Sequence, residues 1–554
     1  MCTSLRRAGS ARPQANGQSV KRIAVIGAGT MGAGIALASA RAGFEVDLVE
    51  TDAAVRGRAE ERMQREAQKL LATEALTKIQ LATSISHIGN AELAIEAVPE
   101  DLAVKRAVFV ELEQRLGDQA ILATNTSSLS IAEIAGALAA PRRLIGLHFF
   151  NPATVMKLVE VVRADFTDDA IVEIGRAFVQ AIGKTAVVVA DTPGFVVNRV
   201  ARPYYLQALR ALERGIGDVE DLDALARGSG FRMGPFALMD LIGLDVNLAT
   251  SESIYERTGA DRLEPVALQK DMVARGLLGR KSGQGFYAYA QEASPRIAAG
   301  AQPDAPTLND DEVVTVLGFG ALADEIVELL KHRYTHLHHV QSDERLDDVV
   351  VETTILFDVG DGVSDRAQTI CELEARLSKQ AVIFIDAYTT PIGALGTRVQ
   401  APARLAAYGI LSSLQNQHVV EIVDAEATDE ETLAVAQEFF AALGKRTMLV
   451  GDYAALFLGR LVGSIVNEAV YAVQEGVANA DDVDTAMRLG TNYPIGPIAW
   501  GREIGGARIA RMLTQLANAE GMQYGPARAL WVLDAPESAI EDGLIEAGFA
   551  QPYA

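Results

Sequence analysis

Residues 21–41 read KRIAVIGAGTMGAGIALASAR. Lys21 to Gly27 is a short β-branched run ending at glycine, the pattern of a buried strand. The turn Gly27-Ala28-Gly29-Thr30-Met31-Gly32 comes next, then a small-residue helix predicted over Ala33 to Arg41. A second strand, Phe44 to Val49, ends at Glu50, 23 positions after Gly27. In this setting G-x-G-x-x-G predicts a dinucleotide-binding turn. The glycines let the backbone approach a pyrophosphate, and the helix N-terminus stabilises its charge. Gly27, Gly29, Thr30, Met31 and Gly32 are the expected cofactor contacts, with Glu50 accepting hydrogen bonds from ribose hydroxyls. A carboxylate there repels a 2′-phosphate and no Arg stands directly after it, so the pattern favours NAD over NADP. A strand–helix turn with no ligand is the plainer alternative.

Working outward, Thr51 to Thr83 is polar with helical period and carries Arg58, Arg65 and Lys69. Strands are predicted over Ala91 to Val98 and Ala120 to Thr124, with a helix between them. Alternating strands and helices predict a parallel sheet covered on both faces. From Asp191 the character changes. Pro193-Gly194 starts a helix predicted over Phe195 to Glu213, and Ala- and Leu-rich helical segments continue to about Gly279. Ser294 to Asn309 is Pro- and Ala-rich without hydrophobic period, a linker.

The chain beyond the linker repeats the chain before it. Val313 to Gly320 (VVTVLGFG) matches Arg22 to Gly29 (RIAVIGAG) at an offset of 291. Ala120 to Asn125 matches Ala381 to Asp386 at an offset of 261. The offset of 261 also relates Val159-Glu160-Val161-Val162 to Val420-Glu421-Ile422-Val423, Gly183-Lys184 to Gly444-Lys445, Asp191 to Asp452, Arg199 to Arg460, and Asp223 to Asp484. The change from 291 to 261 means thirty residues are missing from copy two, in the helical stretch after Glu50. One register held over so many positions marks a duplication. The expected fold is an α/β Rossmann-type nucleotide domain plus an all-α C-terminal domain, the pair duplicated with a degenerate second copy. The expected boundaries are a leader over 1–19, nucleotide domain 20–190, helical domain 191–293, linker 294–310, degenerate nucleotide domain 311–451 and second helical domain 452–554.

The chain's 554 residues set a prior of three to four domains. Lys plus Arg number 50 and Asp plus Glu 73, a net charge of −23. Phosphate binding needs a basic face, so a nucleic-acid role is not expected. Cys2 and Cys371 are the only cysteines, too few for a disulfide framework or a Cys-based zinc site. No apolar stretch is expected to approach bilayer-spanning length, so no membrane partner is expected either. The N-terminus is polar and Arg-rich, read as a disordered leader with an organelle transit peptide as the alternative. The expected location is cytoplasmic.

Copy two also serves as an internal control, because polar chemistry that only copy one keeps points to function. Asn125-Thr126-Ser127 becomes Asp386-Ala387-Tyr388, Asn198 becomes Gly459, and His148 falls on Gly409. His148 closes a hydrophobic strand in Leu147-His148-Phe149-Phe150-Asn151-Pro152, and Glu160 stands twelve residues on. Oxidising an alcohol with NAD requires removal of the hydroxyl proton as hydride leaves carbon, and an imidazole suits that task. Glu160 would hold the ring tautomer and stabilise the imidazolium. A satisfied core histidine is the alternative for His148 taken alone, and retention of Glu421 without a histidine weighs against a purely catalytic Glu160. The cluster His332, His336, His338 and His339 falls at the second strand of copy two without matching Cys or carboxylate ligands, so no metal is expected.

With these residues in view, the chain from about Val20 to Tyr287 resembles the L-3-hydroxyacyl-CoA dehydrogenase family. The resemblance runs through VIGAGTMGAGIA, EAVPED, NTSSLSI, GLHFFNP, DTPGFVVNR, FRMGPFALMDLIGLD and GRKSGQGFY. The long form with a degenerate second copy resembles members acting in phenylacetate breakdown. The resemblance implies NAD-dependent oxidation of an (S)-3-hydroxyacyl-CoA, with 3-hydroxyadipyl-CoA as the expected substrate and 3-hydroxybutyryl-CoA as the alternative. It implies His148 as base with Glu160 as partner, Ser127 and Asn198 near the 3-oxygen and thioester, and Asn151 in the active site. It implies Glu100 and Lys105 near the nicotinamide ribose and carboxamide. The helical stretch after Glu50 resembles a hairpin over the coenzyme A arm, where Arg58, Arg65 and Lys69 either meet phosphates or form a solvated face. The expected partners are an acyl-CoA substrate and an internal pseudo-dimer of the two helical domains, with a homo-oligomer as a further state. A non-catalytic NAD-binding protein and a Rossmann enzyme for a non-CoA hydroxy acid are the competing classes.

Overall fold

The computed structural model describes residues 14–15, 18–289, 308, 311–341, 343–360, 366–390 and 392–534. The predicted linker lies outside these residues apart from Leu308. Of the predicted leader, only Gln14–Ala15 and Gln18–Ser19 fall within them, as an antiparallel pair. The chain divides into two compact units: the described residues up to Val200 with Glu475–Asn492, and Ala201–Gln474 with Tyr493 onward.

The first unit is built on an eight-stranded sheet. Its strands are β1 (Arg22–Ile26), β2 (Glu45–Val49), β3 (Ile79–Ala82), β4 (Leu93–Glu96), β5 (Ile121–Thr124), β6 (Leu144–Phe149), β7 (Leu158–Arg163) and β8 (Thr185–Ala190). They lie in the order β8-β7-β6-β5-β4-β1-β2-β3. Helices α1 (Thr30–Arg41), α2 (Ala53–Lys69), α3 (Leu102–Leu116), α4 (Ile131–Ala135) and α5 (Asp169–Ala181) connect them. The sheet departs from the all-parallel expectation at one place: β6 and β7 run antiparallel. Only residues 150–157 join them, too few for the crossover that a parallel pair requires. Helix α1 begins at Thr30 rather than Ala33, and every residue from Gly32 to Ala40 is buried. Its small side chains permit that close packing. A Cβ on Gly32 would stand 1.8 Å from the Gly27 carbonyl oxygen.

The helix predicted over Phe195–Glu213 is two helices, α6 (Val197–Val200) and α7 (Arg202–Glu213). Pro203 lies in the first turn of α7. Proline has no N–H and its ring collides with the carbonyl four residues back, so the helix cannot run through it. The helix Ala480–Gly490, from sequence predicted as part of the second helical domain, packs in the first unit. Ala190 N–H donates to the Val477 carbonyl at 2.8 Å, and Gly490 lies against Leu158 and Val197.

The second unit holds a seven-stranded sheet of β9 (Val313–Leu317), β10 (His336–Val340), β11 (Ile355–Asp358), β12 (Val382–Asp386), β13 (Leu405–Gly409), β14 (Val419–Val423) and β15 (Arg446–Val450), ordered β10-β9-β11-β12-β13-β14-β15. It matches the first sheet strand for strand except for β3. Copy one places α2, a 3₁₀ turn and β3 between β2 and β4, whereas copy two has only a 3₁₀ turn, Asp343–Asp348, among the described residues between β10 and β11. The thirty missing residues are therefore α2 and an edge strand. Of the histidine cluster, His332 lies in the turn before β10 and the other three on it, where His336 and His338 are exposed and His339 Nε2 bonds the Gly318 carbonyl at 2.9 Å.

Helices of both copies pack together in this unit. Helix α8 (Val219–Gly228) docks on β14, where His418 N–H donates to the Gly228 carbonyl at 2.7 Å. Helix α7 lies along α9 (Leu456–Gln474). Arg262 pairs with Glu468 at 2.6 Å and stacks over Tyr471 at 4.0 Å. Phe231 meets Tyr204, Tyr493 and Trp500 with ring centroids 4.6–5.5 Å apart. In the duplication, the counterpart of α8 is α10 (Ala480–Gly490), the helix packed in the first unit. Helix α9 corrects the expectation that no apolar stretch nears bilayer-spanning length, since it is 19 residues long. It is buried within the protein and carries Arg460, Asn467 and Glu468 on its packed faces.

Candidate active site

His148 and Glu160 are register partners across the antiparallel β6–β7 pair. That register is why a twelve-residue spacing brings them together. The His148 Nδ1 lies 2.6 Å from Glu160 Oε2, and both side chains are buried. A carboxylate only accepts, so Nδ1 carries the hydrogen and the Nε2 lone pair is left for chemistry. Phe150 and Phe195 flank the imidazole at centroid distances of 4.5 and 5.6 Å. The second oxygen of Glu160 accepts from Val196 N–H at 3.1 Å and Val197 N–H at 2.9 Å, at the start of α6.

The other expected residues gather at the carboxyl edge of the same sheet, where α/β folds hold ligands. Ser127 is exposed in the turn after β5. Its carbonyl is approached by Asn198 Nδ2 at 3.5 Å, a long contact. Asn151 is exposed just after β6. Asn125 is not among the expected site residues, yet its Oδ1 accepts from Phe149 N–H at 2.9 Å and so fixes the backbone beside His148. Its replacement by Asp386 in copy two was the available signal.

A buried polar network stands beside them. Lys105 Nζ bonds Glu96 at 2.7 Å and Glu100 at 3.1 Å, and Thr124 Oγ1 donates to Glu96 at 2.7 Å. Burial raises the Glu96 carboxyl above its ordinary range, with Lys105 opposing that rise. Burial also works to raise Glu100, but Lys105 and the Thr126 and Ser128 hydroxyls outweigh it and hold Glu100 below the ordinary range. Lys105 is thus a buried ion-pair member rather than an exposed cation. Glu96 was missed from sequence, and an acid inside an otherwise apolar strand was its only signal.

The Gly-rich turn fits a dinucleotide. Gly27 sits at φ +97°, and a Cβ there would meet the Ala97 carbonyl oxygen at 2.7 Å. Gly29 has open space where a side chain would stand. Helices α2, α3 and α4 are each capped by a side chain, Asp52, Asp101 and Ser130, but the residue before α1 is Gly29, which has none to offer. Uncapped N–H groups at a helix start suit an anionic ligand. Glu50 accepts from Ala28 N–H at 3.1 Å and Asp52 N–H at 3.0 Å, which holds its carboxylate across from the turn.

The sequence model of the 3-hydroxyacyl-CoA dehydrogenase NAD binding domain matches residues 22–192 and again 330–453. That of the 3-hydroxyacyl-CoA dehydrogenase C-terminal domain matches 194–289 and 457–535. The chain belongs to the 3-hydroxyacyl-CoA dehydrogenase family. It is an NAD-dependent oxidoreductase made of a duplicated pair of domains. It is 35% identical over 526 residues to the 3-hydroxyadipyl-CoA dehydrogenase of Escherichia coli K12, covering 92% of this chain and 97% of the relative. It is 41% identical over 283 residues to a 3-hydroxybutyryl-CoA dehydrogenase of Mycobacterium tuberculosis, covering 49% of this chain and 99% of the relative. A crystal structure of 3-hydroxybutyryl-CoA dehydrogenase from E. coli K12 superposes with a TM-score of 0.75 at 33% identity, covering 96% of this chain and all of that one.

The dehydrogenase's second copy shows what the site becomes without its histidine. Glu421 is again the register partner of position 409, but that position is glycine. Tyr388, in the place of Ser127, turns its ring into the gap, and its hydroxyl donates to Glu421 at 2.8 Å. A Cβ on Gly409 or on Gly459, the counterparts of His148 and Asn198, would stand 2.9 Å from the Tyr388 ring. The two glycines make room for one buried tyrosine. Glu421 also accepts from Phe457 N–H at 2.8 Å, as Glu160 does from Val196 N–H at 3.1 Å. Arg508 pairs with Asp386 at 3.2 Å beside it.

Proposed function

We propose that this dehydrogenase oxidises (S)-3-hydroxyadipyl-CoA in phenylacetate breakdown, with chemistry at copy one alone. The observation carrying the chemistry is the buried His148–Glu160 pair at the same sheet edge as the Gly-rich turn. His148 Nε2 takes the proton of the substrate's 3-hydroxyl as the C3–H bond breaks and the C3=O bond forms. Glu160 holds the ring and stabilises the imidazolium. Bound NAD supplies the hydride acceptor. Gly27, Gly29, Thr30, Met31 and Gly32 would cradle its pyrophosphate and Glu50 its ribose. Ser127 and Asn198 would serve the 3-oxygen and thioester, with Asn151 in the same active site. Arg58, Arg65 and Lys69, exposed along α2, would meet the coenzyme A phosphates.

The adipyl reading rests on the full-length, two-copy relative of that name. A second reading, 3-hydroxybutyryl-CoA, is favoured by the full-length structural match bearing that title. Specificity constants from NADH absorbance with the two acyl-CoAs decide between them. A higher kcat/KM for 3-hydroxyadipyl-CoA is expected, and the reverse order overturns the proposal.

We further propose that the two helical regions form an internal pseudo-dimer and that the four domains meet near residues 190, 293–311 and 451. The reciprocal placement of α8 on β14 and of α10 beside β8 supports this. Residues 1–290 expressed alone should be insoluble or dimeric. A stable, fully active monomer would refute the idea. A cytoplasmic location is proposed on the low cysteine usage, and a fluorescent fusion would test it.

A further inference from the structure

Resting on the reading of Ser127 as a substrate-facing residue, we infer that Glu100 is a positioning residue for Ser127. One Glu100 oxygen gathers four donors from three successive residues. Thr126 Oγ1 donates to Oε1 at 2.5 Å, Ser127 N–H at 3.0 Å, Ser128 N–H at 3.1 Å and Ser128 Oγ at 2.9 Å. The turn that carries Ser127 is thus wound around a single acceptor. The other oxygen, Oε2, is fixed by Lys105 at 3.1 Å.

Lys105 is itself immobile. It is 1% exposed, bonded to Glu96, and Glu96 is held in turn by Thr124 Oγ1 and Val98 N–H, each at 2.7 Å. Thr126 N–H closes the loop by donating to Thr124 Oγ1 at 3.2 Å. The chain of bonds therefore runs from the buried ends of β4 and β5 to the backbone of Ser127. Glu100 takes only the Ser127 N–H, so the serine hydroxyl stays exposed and its carbonyl faces Asn198. An arrangement that grips the backbone and spares the hydroxyl is what positioning requires. Copy two keeps a hydroxyl at the place of Ser128, Thr389, but loses that of Thr126 to Ala387, and Tyr388 N–H and Thr389 Oγ1 bond Asp386 instead.

A double-mutant cycle on the full chain tests this, with Glu100→Ala, Ser127→Ala and the double variant assayed for kcat and KM toward both substrates. A displacement near 1 Å costs up to about a hundredfold, so each single variant should lose about tenfold or more in kcat. The double variant should be no slower than Ser127→Ala alone. Glu100→Asp keeps the charge beside Lys105 but withdraws the acceptor, and should lose kcat as the alanine does even if Glu100→Ala folds poorly. Glu100→Gln keeps an acceptor oxygen for the turn but sets its amide nitrogen against Lys105, so it should recover part of the kcat that Glu100→Ala loses. Multiplicative losses in the double variant would overturn the inference while leaving the Ser127 reading intact. So would a raised KM for NAD with kcat unchanged, the mark of a direct cofactor contact. Wild-type kcat in Ser127→Ala would remove the Ser127 reading itself and the inference with it.

Discussion

Copies one and two place a buried glutamate at the same register position on the same antiparallel strand pair, and they differ in what faces it. Glu160 faces an imidazole, and Glu421 faces a phenol. Both glutamates also accept backbone N–H groups from the helix that opens the next domain. The carboxylate therefore makes two kinds of contact in each copy, one to a side chain and one to backbone N–H groups. Oε1 of each accepts from a helix start, and in copy two Leu458 N–H reaches Oε2 as well, at 3.2 Å. Oε2 of Glu160 holds an imidazole, whereas Oε2 of Glu421 holds the Tyr388 hydroxyl. Retention of Glu421 without a histidine is explained by these backbone contacts, so it does not count against the role proposed for Glu160.

The largest effect that would break the contrast is loss of the base. His148→Ala should lower kcat by about a thousandfold, within the usual range for removing a general base, with NAD affinity unchanged. Glu160→Gln should fall by about a hundredfold or more, at the lower end of that range. Near-normal NADH production in either variant would mean that the dyad is no more catalytic than its counterpart.

Next is the plug. Tyr388→Ala empties a fully buried aromatic site, and such truncations cost about 3–5 kcal/mol. Urea denaturation should show a loss of that order, while kcat per folded molecule stays at the wild-type value. A change in kcat would mean that copy two takes part in turnover.

The third prediction concerns pH. Burial raises Glu421 to about 7 against an ordinary 4.5, opposed by the Phe457 and Leu458 N–H groups and the Tyr388 hydroxyl. A carboxyl whose folded pKa is raised binds its proton more tightly when folded. Its contribution is thus present at low pH and lost as pH rises between about 4.5 and 7. The slope is at most about 1.4 kcal/mol per pH unit for one proton. Asp223 and Asp358, raised by burial to about 6, act in the same direction, so the test is a difference. Glu421→Gln should keep stability from about pH 5 to 8 that the wild type loses. Parallel curves for the two proteins would refute it.

How far the sequence could be read depends on the same division between copies. The turn at Gly27, the strand ending at Glu50 and the duplication were legible because each depends on local spacing. The His148–Glu160 pair was legible because copy two lacked the histidine. Lys184 and Lys445, kept in both copies, reach loop carbonyls of Met156 and Leu414, the structural role that retention implied. The antiparallel β6–β7 pair was not legible, since it depends on how few residues join two apolar strands. Nor was the break before α7, which one proline imposes on an otherwise continuous helical pattern. Tyr388 as a plug could not be read either, because two glycines far apart in sequence create its space. Glu100 was read only as a cofactor contact, since nothing in spacing shows that three consecutive residues share one of its oxygens.

The smallest of the predicted effects lies at the other end of the sheet. Glu50 holds the spot that Gln341 occupies in copy two, each standing just after the last residue of the second strand, Val49 or Val340. Glu50→Gln therefore gives copy one the residue of copy two. The amide keeps an acceptor oxygen but loses the charge, and hydrogen bonds to charged groups contribute about 1.5–3 kcal/mol. The KM for NAD should rise about tenfold or more on that basis, with the KM for acyl-CoA unchanged. The same change removes the repulsion toward a 2′-phosphate, so discrimination against NADP should narrow. If neither constant moves, the carboxylate serves only the Ala28 and Asp52 N–H groups it already holds, and the contrast between the two nucleotide sites must rest on the glycines alone.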